Sequence, residues 1–399
     1  MELYVKQLTI FWSIIMKRKI CVVITARPSY ARIRTVLQAI QKNPNLELQL
    51  IVSGSALLSK YGSAVDFIKK DGFIPASEIY HVIEGETLLS SAKSTGLALI
   101  ELSSELSRLQ PDAVITIADR YETLATAIAA SYLNIPVIHI QGGEVTGSID
   151  EKVRHAVTKL SDIHMVSTQK AYDRVVAMGE DPSTVYLTGC PSIDIAKQVI
   201  ADPILDFNPF TKYGGVGDTF DTSQDYLIVM QHPITTEQEF AKEQALSTMR
   251  AINQIGIPTF WFWPNPDAGS AVIAKEIRIF RETTPDCNIH FLINMSPEDF
   301  LKLTLSSACI IGNSSVAIRE CSFLGVPAVN IGNRQRGRER GQNVVDTKHD
   351  TEEILAAISC QIKNTSIKTD NLYGNGDSGK KISEILSTCE LKIEKTLMI

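Results

Sequence analysis

The stretch HIQGGEVTGSIDE, residues 139–151, places several side chains able to do chemistry close together. It holds two carboxylic acids, Glu144 and Asp150, and one amide, Gln141, beside a pair of glycines. The stretch lies between the strand-like VIHI and the helical pattern EKVRHAVTKL, and ligand chemistry in open α/β sheets occurs at such strand ends. A carboxylate there can exchange a proton, whereas an amide cannot do so near neutral pH. Asp150 could alternatively cap the helix that follows it.

A second polar stretch, ACIIGNSSVAIRE, favours the binding of a phosphate. A predicted strand ends at Gly312, and Ser314 and Ser315 then open a predicted helix, whose free backbone N–H groups carry partial positive charge. Helix capping by the serines is the simpler alternative. Glu320 falls on the same predicted helix, where its carboxylate can accept both hydroxyls of a ribose. The spacing therefore indicates a diphosphate and ribose site.

Four arginines crowd the loop NRQRGRERG that follows, in a chain whose formal net charge is −6. Arginine clusters are often solvated surface or a nucleic-acid patch. A short cluster in an acidic protein is better suited to close over the neighbouring phosphate. The net negative charge also disfavours nucleic acid and anionic membranes as partners.

Further polar residues follow predicted strands, or the loops after them, in both halves of the chain: Arg27 in RPSY, Asp119 and Arg120 in ADRYE, His232 in QHPIT, and Asn265 and Asp267 in PNPDAG. A single histidine in a core is more often structural, but a place after a strand and before proline favours function for His232. Turn formation is the alternative explanation for PNPDAG.

Metal and redox chemistry find no support in the sequence. His139, His155 and His164 lack zinc spacing, and no acidic cluster resembles a calcium loop. Neither G-x-G-x-x-G nor a Walker A loop is present. The seven cysteines are scattered without a C-x-x-C, which is typical of buried thiols in a reducing compartment. We expect neither a metal nor a cofactor.

The elements that must position these residues alternate between strand and helix patterns. In the first half, KICVVIT, LELQLIV, DAVITIA, PVIHI and IHMVST are apolar, β-branched runs typical of buried parallel strands. In the second half, YLIVMQ, PTFWFW, CNIHFLI, ACIIG and PAVNIG repeat the pattern. Such alternation predicts an α/β fold of two doubly wound domains with a cleft between their strand ends.

These patterns place a first domain at 16–200 and a second at 226–377, joined by a linker or long loop at 201–225 that lacks periodicity. A final amphipathic helix falls within 378–399. The apolar run LTIFWSIIM is too short to cross a bilayer, and no small-residue cleavage site follows it. We therefore expect no membrane span and no signal peptide, and interpret 1–15 as an extension before a natural start at Met16.

Taken together and in order, these motifs resemble the hydrolysing UDP-N-acetylglucosamine 2-epimerases over residues 17–390; the stretches that carry the resemblance are RPSY, ADRYE, HIQGGEVTGSIDEKVRHAVTKL, TGCPSID, QHPIT, PNPDAG and GNSSVAIRE…NIGNRQRGRERG. The resemblance implies a GT-B architecture, two Rossmann-like domains whose second member holds most of the nucleotide, with the last helix crossing back to the first domain. It also implies a cytoplasmic homodimer or homotetramer that needs no metal or redox cofactor.

The reaction that the resemblance implies converts UDP-N-acetylglucosamine and water to N-acetylmannosamine and UDP. UDP leaves carbon 1, a base removes the proton from carbon 2, and water adds to the resulting glycal with inversion at carbon 2. The site must therefore stabilise the leaving group and place a carboxylate near that proton. The implied roles are diphosphate binding by Ser314 and Ser315, ribose binding by Glu320, nucleotide contact by Arg334, phosphate contact by Arg27, Arg120 and His232, sugar–nucleotide contact by Asn265 and Asp267, and acid–base chemistry by Asp119, Asp150 and the residue that opens the x-G-G-E element.

Two positions depart from the family pattern. Ser29 stands where an acid is usual in the opening motif, and Gln141 stands where the x-G-G-E element usually begins with glutamate. Either the acid–base work shifts to Asp119, Glu144 and Asp150, or the accepted sugar differs. We expect Asp119 and Asp150 to move protons, Glu144 to be the reserve acid, and Gln141 to hydrogen-bond the sugar.

Positive charge on Arg120 and His232 is expected to help UDP depart. A 2-epimerase of another UDP-sugar, such as UDP-N,N'-diacetylbacillosamine, is the nearest alternative. A GT-B glycosyltransferase and an inactive nucleotide-sugar sensor also stay open. A non-hydrolysing epimerase is disfavoured, because GGEVTGSID and GNSSVAIRE resemble the hydrolysing branch.

Overall fold

Two seven-stranded sheets form the centre of the protein, in a computed structural model that describes residues 17–398 apart from 118, 148, 266, 285, 286 and 365. The prediction about residues 1–15 lies outside the described residues. The strands of the first sheet are β1 Arg18–Ile24, β2 Leu46–Ser53, β3 Ser77–Ile79, β4 Ala113–Ile117, β5 Val137–Ile140, β6 Ile163–Val166 and β7 Val185–Leu187. Their spatial order is β3-β2-β1-β4-β5-β6-β7, and all neighbours are parallel.

The second sheet repeats this topology and adds one short edge strand. Its strands are β8 Val216–Gly217, β9 Leu227–Met230, β10 Thr259–Phe262, β11 Ile289–Leu292, β12 Cys309–Gly312, β13 Ala328–Ile331 and β14 Val344–Thr347. They follow the order β14-β13-β12-β9-β10-β11-β8, in which β8 alone is antiparallel to its neighbour. The predicted architecture of two doubly wound α/β domains in a GT-B arrangement is confirmed.

Helices cover both faces of each sheet. The helices associated with the first sheet are Arg27–Lys42, Ala64–Lys70, Leu88–Leu109, Tyr121–Tyr132, Ile149–Leu160, Gln169–Ala177 and Pro191–Ala201. Those that follow are Pro209–Tyr213, Ala241–Ile255, Ser270–Thr283, Pro297–Leu305, Glu320–Leu324, Thr351–Gln361 and Ser378–Thr388. Short 3₁₀ turns occur at Gly54–Leu57, Ser59–Tyr61, Pro182–Thr184, Thr235–Phe240 and Ser315–Ala317. No helix in the described part of the chain is long and apolar enough to span a bilayer.

The apolar strands fold as parallel strands because both of their faces are covered. In β1, alternate residues point to two different cores: Ile20, Val22 and Ile24 join one, and Cys21 and Val23 join the other. A strand buried on both sides loses no apolar surface to water, which explains the unbroken apolar run in its sequence.

In each sheet, successive strands are added first on one side of the first long strand and then on the other. The candidate site lies at these two switch points. β1 lies between β2 and β4, while β9 lies between β10 and β12. Ligands of open α/β sheets bind outside the carboxyl ends of the strands at such switch points. Gly312 ends β12 with a φ of 127°, and a Cβ there would lie 2.2 Å from the carbonyl oxygen of Met230, so only glycine lets the two strands end side by side.

The stretch 201–225 is more ordered than its composition predicts. It contains the helix Pro209–Tyr213 and strand β8, and its aromatic residues pack on the second sheet. Phe210 stacks 5.2 Å from Phe220 and 5.3 Å from Phe260 between ring centres. The expectation of a loop is therefore wrong for part of this stretch, because aromatic burial compensates for the missing periodicity.

The last helix returns to the first domain. Ile382 and Leu386 of the helix Ser378–Thr388 enter the core formed around β1, and Ser383 donates a hydrogen bond to the carbonyl of Ala39 at 3.1 Å. Asp194 ties the connection by accepting the backbone N–H groups of Ser378 and Gly379 at 2.8 and 2.7 Å. The domain boundaries at 200, 226 and 377 stay predictions.

Candidate active site

The strand ends at the two switch points open onto one interdomain cavity of about 890 Å³, including space open to solvent. A cleft between two domains is a common place for a ligand to bind. The polar part of the lining, here named the polar wall, consists of Arg27, Arg32, His232, Ser314, Ser315, Glu320 and Arg334. The apolar part of the lining consists mainly of Phe67, Met230, Phe262, Met295, Pro297 and Phe300.

The serines of the polar wall sit on a tight turn rather than on a long helix. Ser314 caps the 3₁₀ turn Ser315–Ala317, and a separate five-residue helix begins at Glu320. The predicted continuous helix is thus wrong at this point. Elements this short carry little helix dipole, so attraction of an anion must come mainly from hydroxyls and arginines. Arg32 supplies one such group, since its Nη2 donates to the hydroxyl of Ser315 at 3.0 Å.

His232 is fixed in a neutral, oriented form. Its backbone N–H donates to Oδ1 of Asn313 at 2.8 Å, and the Asn313 amide donates back to the His232 carbonyl at 2.8 Å. The backbone N–H of Asn265 donates to Nδ1 of the ring at 3.2 Å. Nδ1 is then an acceptor, so Nε2 carries the proton. Burial, reinforced by the charge of Arg334, lowers the pKa of His232 to about 3, so the imidazole does not carry the expected positive charge near neutral pH.

Arg27 reaches across the cleft from the first domain. Its guanidinium donates to the carbonyl of Ile293 and, at 2.9 Å, to Oδ1 of Asn265. Arg334 approaches from the other side and donates to the carbonyl of Asn313 at 3.2 Å. Two arginines from different domains therefore flank the same cavity, an arrangement suited to binding a phosphate.

Arg120 is already engaged by acids. Its guanidinium contacts Glu122 at 3.1 and 3.2 Å and Asp267 at 2.8 Å across the cleft. The residue therefore links the two domains through the loop of Asp267, and these acids balance much of its charge. The predicted contact of Arg120 with the phosphates stays a prediction.

Beyond the polar wall lies a buried group of ions, here named the carboxylate cluster: Asp119, Glu144, Arg154, Arg319 and Arg338. Asp119 forms an ion pair with Arg154 and lies 3.9 Å from Arg338. Glu144 accepts from Arg319 at 2.5 Å and lies 3.4 Å from Arg338. Because Arg319 and Arg338 belong to the second domain, the cluster bridges the cleft.

The carboxylate cluster and its immediate surroundings contain more cationic than anionic side chains. Arg32 joins it from the cavity side, 3.8 Å from Asp119. Burial, followed by the charges of Arg319 and Arg338, lowers the pKa of Arg32 to about 9. Burial alone would raise the pKa of Glu144, but Arg319 and Arg338 outweigh it and hold that pKa below its usual value. A site with these features favours an anionic ligand.

Asp150 lies at the cleft side of the helix Ile149–Leu160. Its carboxylate is 3.9 Å from Arg334, and about a quarter of the side chain is exposed. It occupies the first helical turn rather than the capping position. The neighbouring Glu151 accepts the backbone N–H of Thr146 at 2.6 Å and pairs with Arg154 at 3.0 Å, which anchors the start of the helix.

Gln141 and Ser29 are buried and are not among the residues that line the cavity. Gln141 directly follows β5 and has a φ of 69°, a left-handed conformation that is uncommon outside glycine. Its amide donates to the sulfur of Cys190 at 2.9 Å. Ser29 lies in the first turn of Arg27–Lys42 with its N–H bonded to the carbonyl of Ala26 at 3.0 Å.

The structure thus brings Arg27, His232, Asn265, Ser314, Ser315, Glu320 and Arg334 to one cavity. It also places Arg32 in the cavity lining and Arg154 and Arg319 in the carboxylate cluster, none of which the sequence reasoning selected. Arg319 directly precedes Glu320, and Arg154 lies within an otherwise helical pattern. An arginine at a helix position that should face the core is the signal that could have identified them. Among the described residues, no three His, Cys, Asp or Glu side chains are grouped as a metal site.

Comparison with known proteins gives the same answer as the motifs. The family model described as UDP-N-acetylglucosamine 2-epimerase matches residues 38–387. A hydrolysing UDP-N,N'-diacetylbacillosamine 2-epimerase of Legionella pneumophila is 32% identical, over 94% of this chain and 97% of that protein. A UDP-N-acetylglucosamine 2-epimerase of Neisseria meningitidis is 29% identical, over 94% of this chain and 96% of that protein.

Solved structures show the shared fold. A Neisseria meningitidis UDP-GlcNAc 2-epimerase bound to UDP-GlcNAc superposes with a TM-score of 0.74 at 18% identity, covering 92% of this chain and 99% of that chain. A Methanocaldococcus jannaschii UDP-GlcNAc 2-epimerase in complex with UDP-GlcNAc and UDP gives 0.76 at 20% identity, with the same coverage of both chains. With a family match that spans most of its length, this chain belongs to the UDP-N-acetylglucosamine 2-epimerase family.

Proposed function

We propose that this protein is a hydrolysing 2-epimerase of a UDP-linked 2-acetamido sugar, with UDP-N-acetylglucosamine as the first candidate substrate. The observation that carries the proposal is the pairing of a polar wall with a carboxylate cluster at the two switch points of one cleft. The reaction needs both, because a diphosphate must depart while a proton is removed one carbon away.

The polar wall suits the nucleotide. Ser314, Ser315, Arg27 and Arg334 would hold the diphosphate, and Glu320 would accept the ribose hydroxyls. Glu320 is buried, and its Oε2 has no hydrogen-bond partner among the described residues. The apolar part of the lining, with Phe262 and other aromatic rings, would contact the uracil.

Departure of UDP breaks the bond between carbon 1 and the diphosphate oxygen. Negative charge then grows on that oxygen, where Arg27, Arg334 and the Nε2–H of His232 can meet it. A neutral imidazole supplies a hydrogen bond there rather than a full charge. Arg120 would act indirectly by holding Asp267 across the cleft.

A base removes the proton from carbon 2 as UDP leaves, giving a glycal. Water then adds its hydroxyl to carbon 1, and an acid returns a proton to carbon 2 on the opposite face. Asp119 and Asp150 are proposed for these two transfers. Glu144 is kept as the reserve acid because its side chain is the least accessible of the three, 3% exposed against 10% for Asp119 and 24% for Asp150.

UDP-N,N'-diacetylbacillosamine is the second candidate substrate. It is supported by the 32% identical Legionella pneumophila protein that carries this activity in its name. It is also supported by the neutral Ser29 and Gln141, whose replacement of two acids alters hydrogen bonding behind the cavity. Gln141 would reach the sugar only through its free Oε1, which has no partner among the described residues.

The test is to incubate the protein in D₂O with each of the two UDP-sugars and identify the products by NMR. We expect UDP and a free sugar that is inverted at carbon 2 and carries deuterium there. An inverted sugar still attached to UDP would indicate a non-hydrolysing epimerase. Release without inversion or deuterium would point to glycosyl transfer to water, and binding without turnover would point to a sensor; each would overturn the proposal.

We also propose that the protein acts as a homo-oligomer, as the resemblance implies. The helix Leu88–Leu109 exposes Leu89, Leu97 and Ile100 by 65%, 41% and 63% on neighbouring parts of one side. Lys93 and Glu101 stand equally far from Leu97 along this helix, so two antiparallel copies would pair opposite charges. A monomeric mass by light scattering at micromolar concentration would contradict this.

A further inference from the structure

The segment 390–398 follows the last helix and lies against the first domain, far along the sequence from the residues it contacts. The backbone N–H of Met398 donates to the carbonyl of Gly179 at 3.0 Å. A Cβ on Gly179 would lie 2.4 Å from the tip of the Leu397 side chain and 3.0 Å from the carbonyl oxygen of Met398, so the segment approaches this glycine closely. The segment thus follows the surface of the first domain and contacts it at defined points.

Lys395 is the centre of this contact. Its ammonium group donates to the carbonyl oxygens of Thr158, Lys159 and Ser161 at 3.3, 2.9 and 2.5 Å. These carbonyls end the helix Ile149–Leu160, where backbone acceptors lack intrahelical partners. A cation at that end also interacts favourably with the helix dipole. Lys395 therefore caps this helix from a distant part of the chain.

A buried carboxylate fixes the lysine in place. Glu180, 2% exposed, accepts from Lys395 at 2.6 Å, from Lys159 at 2.5 Å and from His164 at 3.0 Å. Burial alone would raise the pKa of Glu180, but the hydrogen bonds from His164, Lys159 and Lys395 outweigh it and lower that pKa to about 2. Three elements thus meet at one ionised group.

The opposite end of the same helix enters the candidate active site. Its first turn contains Asp150 and Glu151, and Arg154 one turn on pairs with Asp119. Glu151 holds the loop before the helix through the N–H of Thr146. A helix of twelve residues is a rigid rod of about 18 Å, so its axial position at one end sets the position at the other.

We infer that Lys395 is a positioning residue for the reaction. By capping the carboxyl end of Ile149–Leu160, it fixes the position of this helix along its axis, and with it the positions of Asp150 and Arg154 at the candidate active site. The role in turnover rests on the proposed function. The coupling itself is a property of the fold and is measurable without substrate.

The experiment compares Lys395→Met, Lys395→Arg and the matched control Lys392→Met. Methionine keeps the length of the side chain and removes the charge, whereas arginine keeps the charge. Lys392 lies in the same segment but is exposed, and its ion pair is with the exposed Glu390 at 2.8 Å. Turnover, the Michaelis constant, UDP affinity and amide hydrogen exchange along Ile149–Leu160 are measured for each.

We expect Lys395→Met to lower kcat by about threefold to tenfold, since small misplacements of catalytic groups are costly, with KM and UDP affinity changed less than about twofold. Amides near Arg154 should exchange faster, although the substitution is at the other end of the helix. Lys395→Arg should recover most of the loss, and Lys392→Met should match the wild type.

Faster exchange confined to the last turn, with normal exchange near Arg154, would overturn the inference. So would a lower melting temperature with kcat unchanged, because Lys395 would then only stabilise the fold. If the unsubstituted protein turns over neither UDP-sugar, the proposed function fails, while the exchange measurement still decides whether the helix is coupled to Lys395.

Discussion

Asp119 and Glu144 in the carboxylate cluster each have cationic partners, whereas the polar wall presents three arginines, hydroxyls, a neutral imidazole and a partly unpartnered carboxylate. The ion pair between Glu144 and Arg319 joins two side chains that are almost fully buried. In the polar wall, the hydroxyl of Ser314 accepts one long hydrogen bond, from the backbone N–H of Val316 at 3.5 Å. The carboxylate cluster is thus held by buried ion pairs, and the polar wall retains hydrogen-bonding capacity for a ligand.

This difference indicates a division of labour. Ions paired in a buried site cost little reorganisation when charge develops during a reaction, because their positions are already set. The hydroxyls and the neutral histidine of the polar wall can bind a nucleotide without adding charge to the site, while Arg27 and Arg334, which donate to neutral oxygens, supply the positive charge that a diphosphate needs. Arg32 connects the polar wall to the carboxylate cluster, because it donates to Ser315 and lies near Asp119.

The largest effect is expected for Asp119→Asn. Removing a working acid or base should lower kcat by about 10²- to 10⁴-fold. The fold should survive, because Arg154 keeps Glu151 at 3.0 Å. Turnover and melting temperature are measured beside Asp150→Asn, for which we expect a comparable loss. Full activity of Asp150→Asn together with an inactive Glu144→Gln would show that the proton is moved by the reserve acid.

Glu144→Gln should act chiefly on stability. It leaves the buried Arg319 without an anion, and breaking a buried ion pair on one side costs about 3–5 kcal/mol in the free energy of unfolding. Chemical denaturation measures this loss. The control is Glu384→Gln, which removes an exposed pair with Lys380 and should change stability by no more than about 0.5 kcal/mol. Equal changes in the free energy of unfolding would show that the buried ion pair of Glu144 stabilises the fold no more than the surface pair of Glu384.

The smallest effect is expected for His232→Gln, because glutamine retains an N–H donor. His232→Ala should lower kcat by about 10²-fold, and His232→Gln by less than about tenfold. If His232→Ala and His232→Gln were equally inactive, a hydrogen-bond donor alone would not suffice, and the result would indicate that the reaction needs a charged imidazole in the polar wall.

Acid sensitivity provides a second measurement on His232. Its pKa in the folded protein is about 3, below the ordinary 6.5, so the unfolded chain takes up the proton first. The fold should therefore lose stability from this group as pH falls from about 6.5 toward 3, and His232→Gln should reduce that loss. An identical pH dependence of unfolding in the two proteins would contradict the lowered pKa.

The elements that carry the site were largely predictable. Apolar runs such as KICVVIT and YLIVMQ are buried on both faces, and a polar residue directly after such a run lies at a strand end. This is why Arg27, His232 and Ser314 could be selected without coordinates. The stretch 201–225 was misjudged because its order comes from Phe210 and Phe220 packing on another element, which leaves no periodic trace.

The sequence by itself determined the residues of the polar wall other than Arg32, the two doubly wound domains and the family, because each follows from local pattern and motif. Only the tertiary structure decided the charge state of His232, the engagement of Arg120 by Asp267 and the arginine partners of Asp119 and Glu144. Those properties depend on burial and on charges contributed by both domains. Electrostatic energy is set by distances through space, and the partners of Glu144, at positions 319 and 338, lie far from it along the chain.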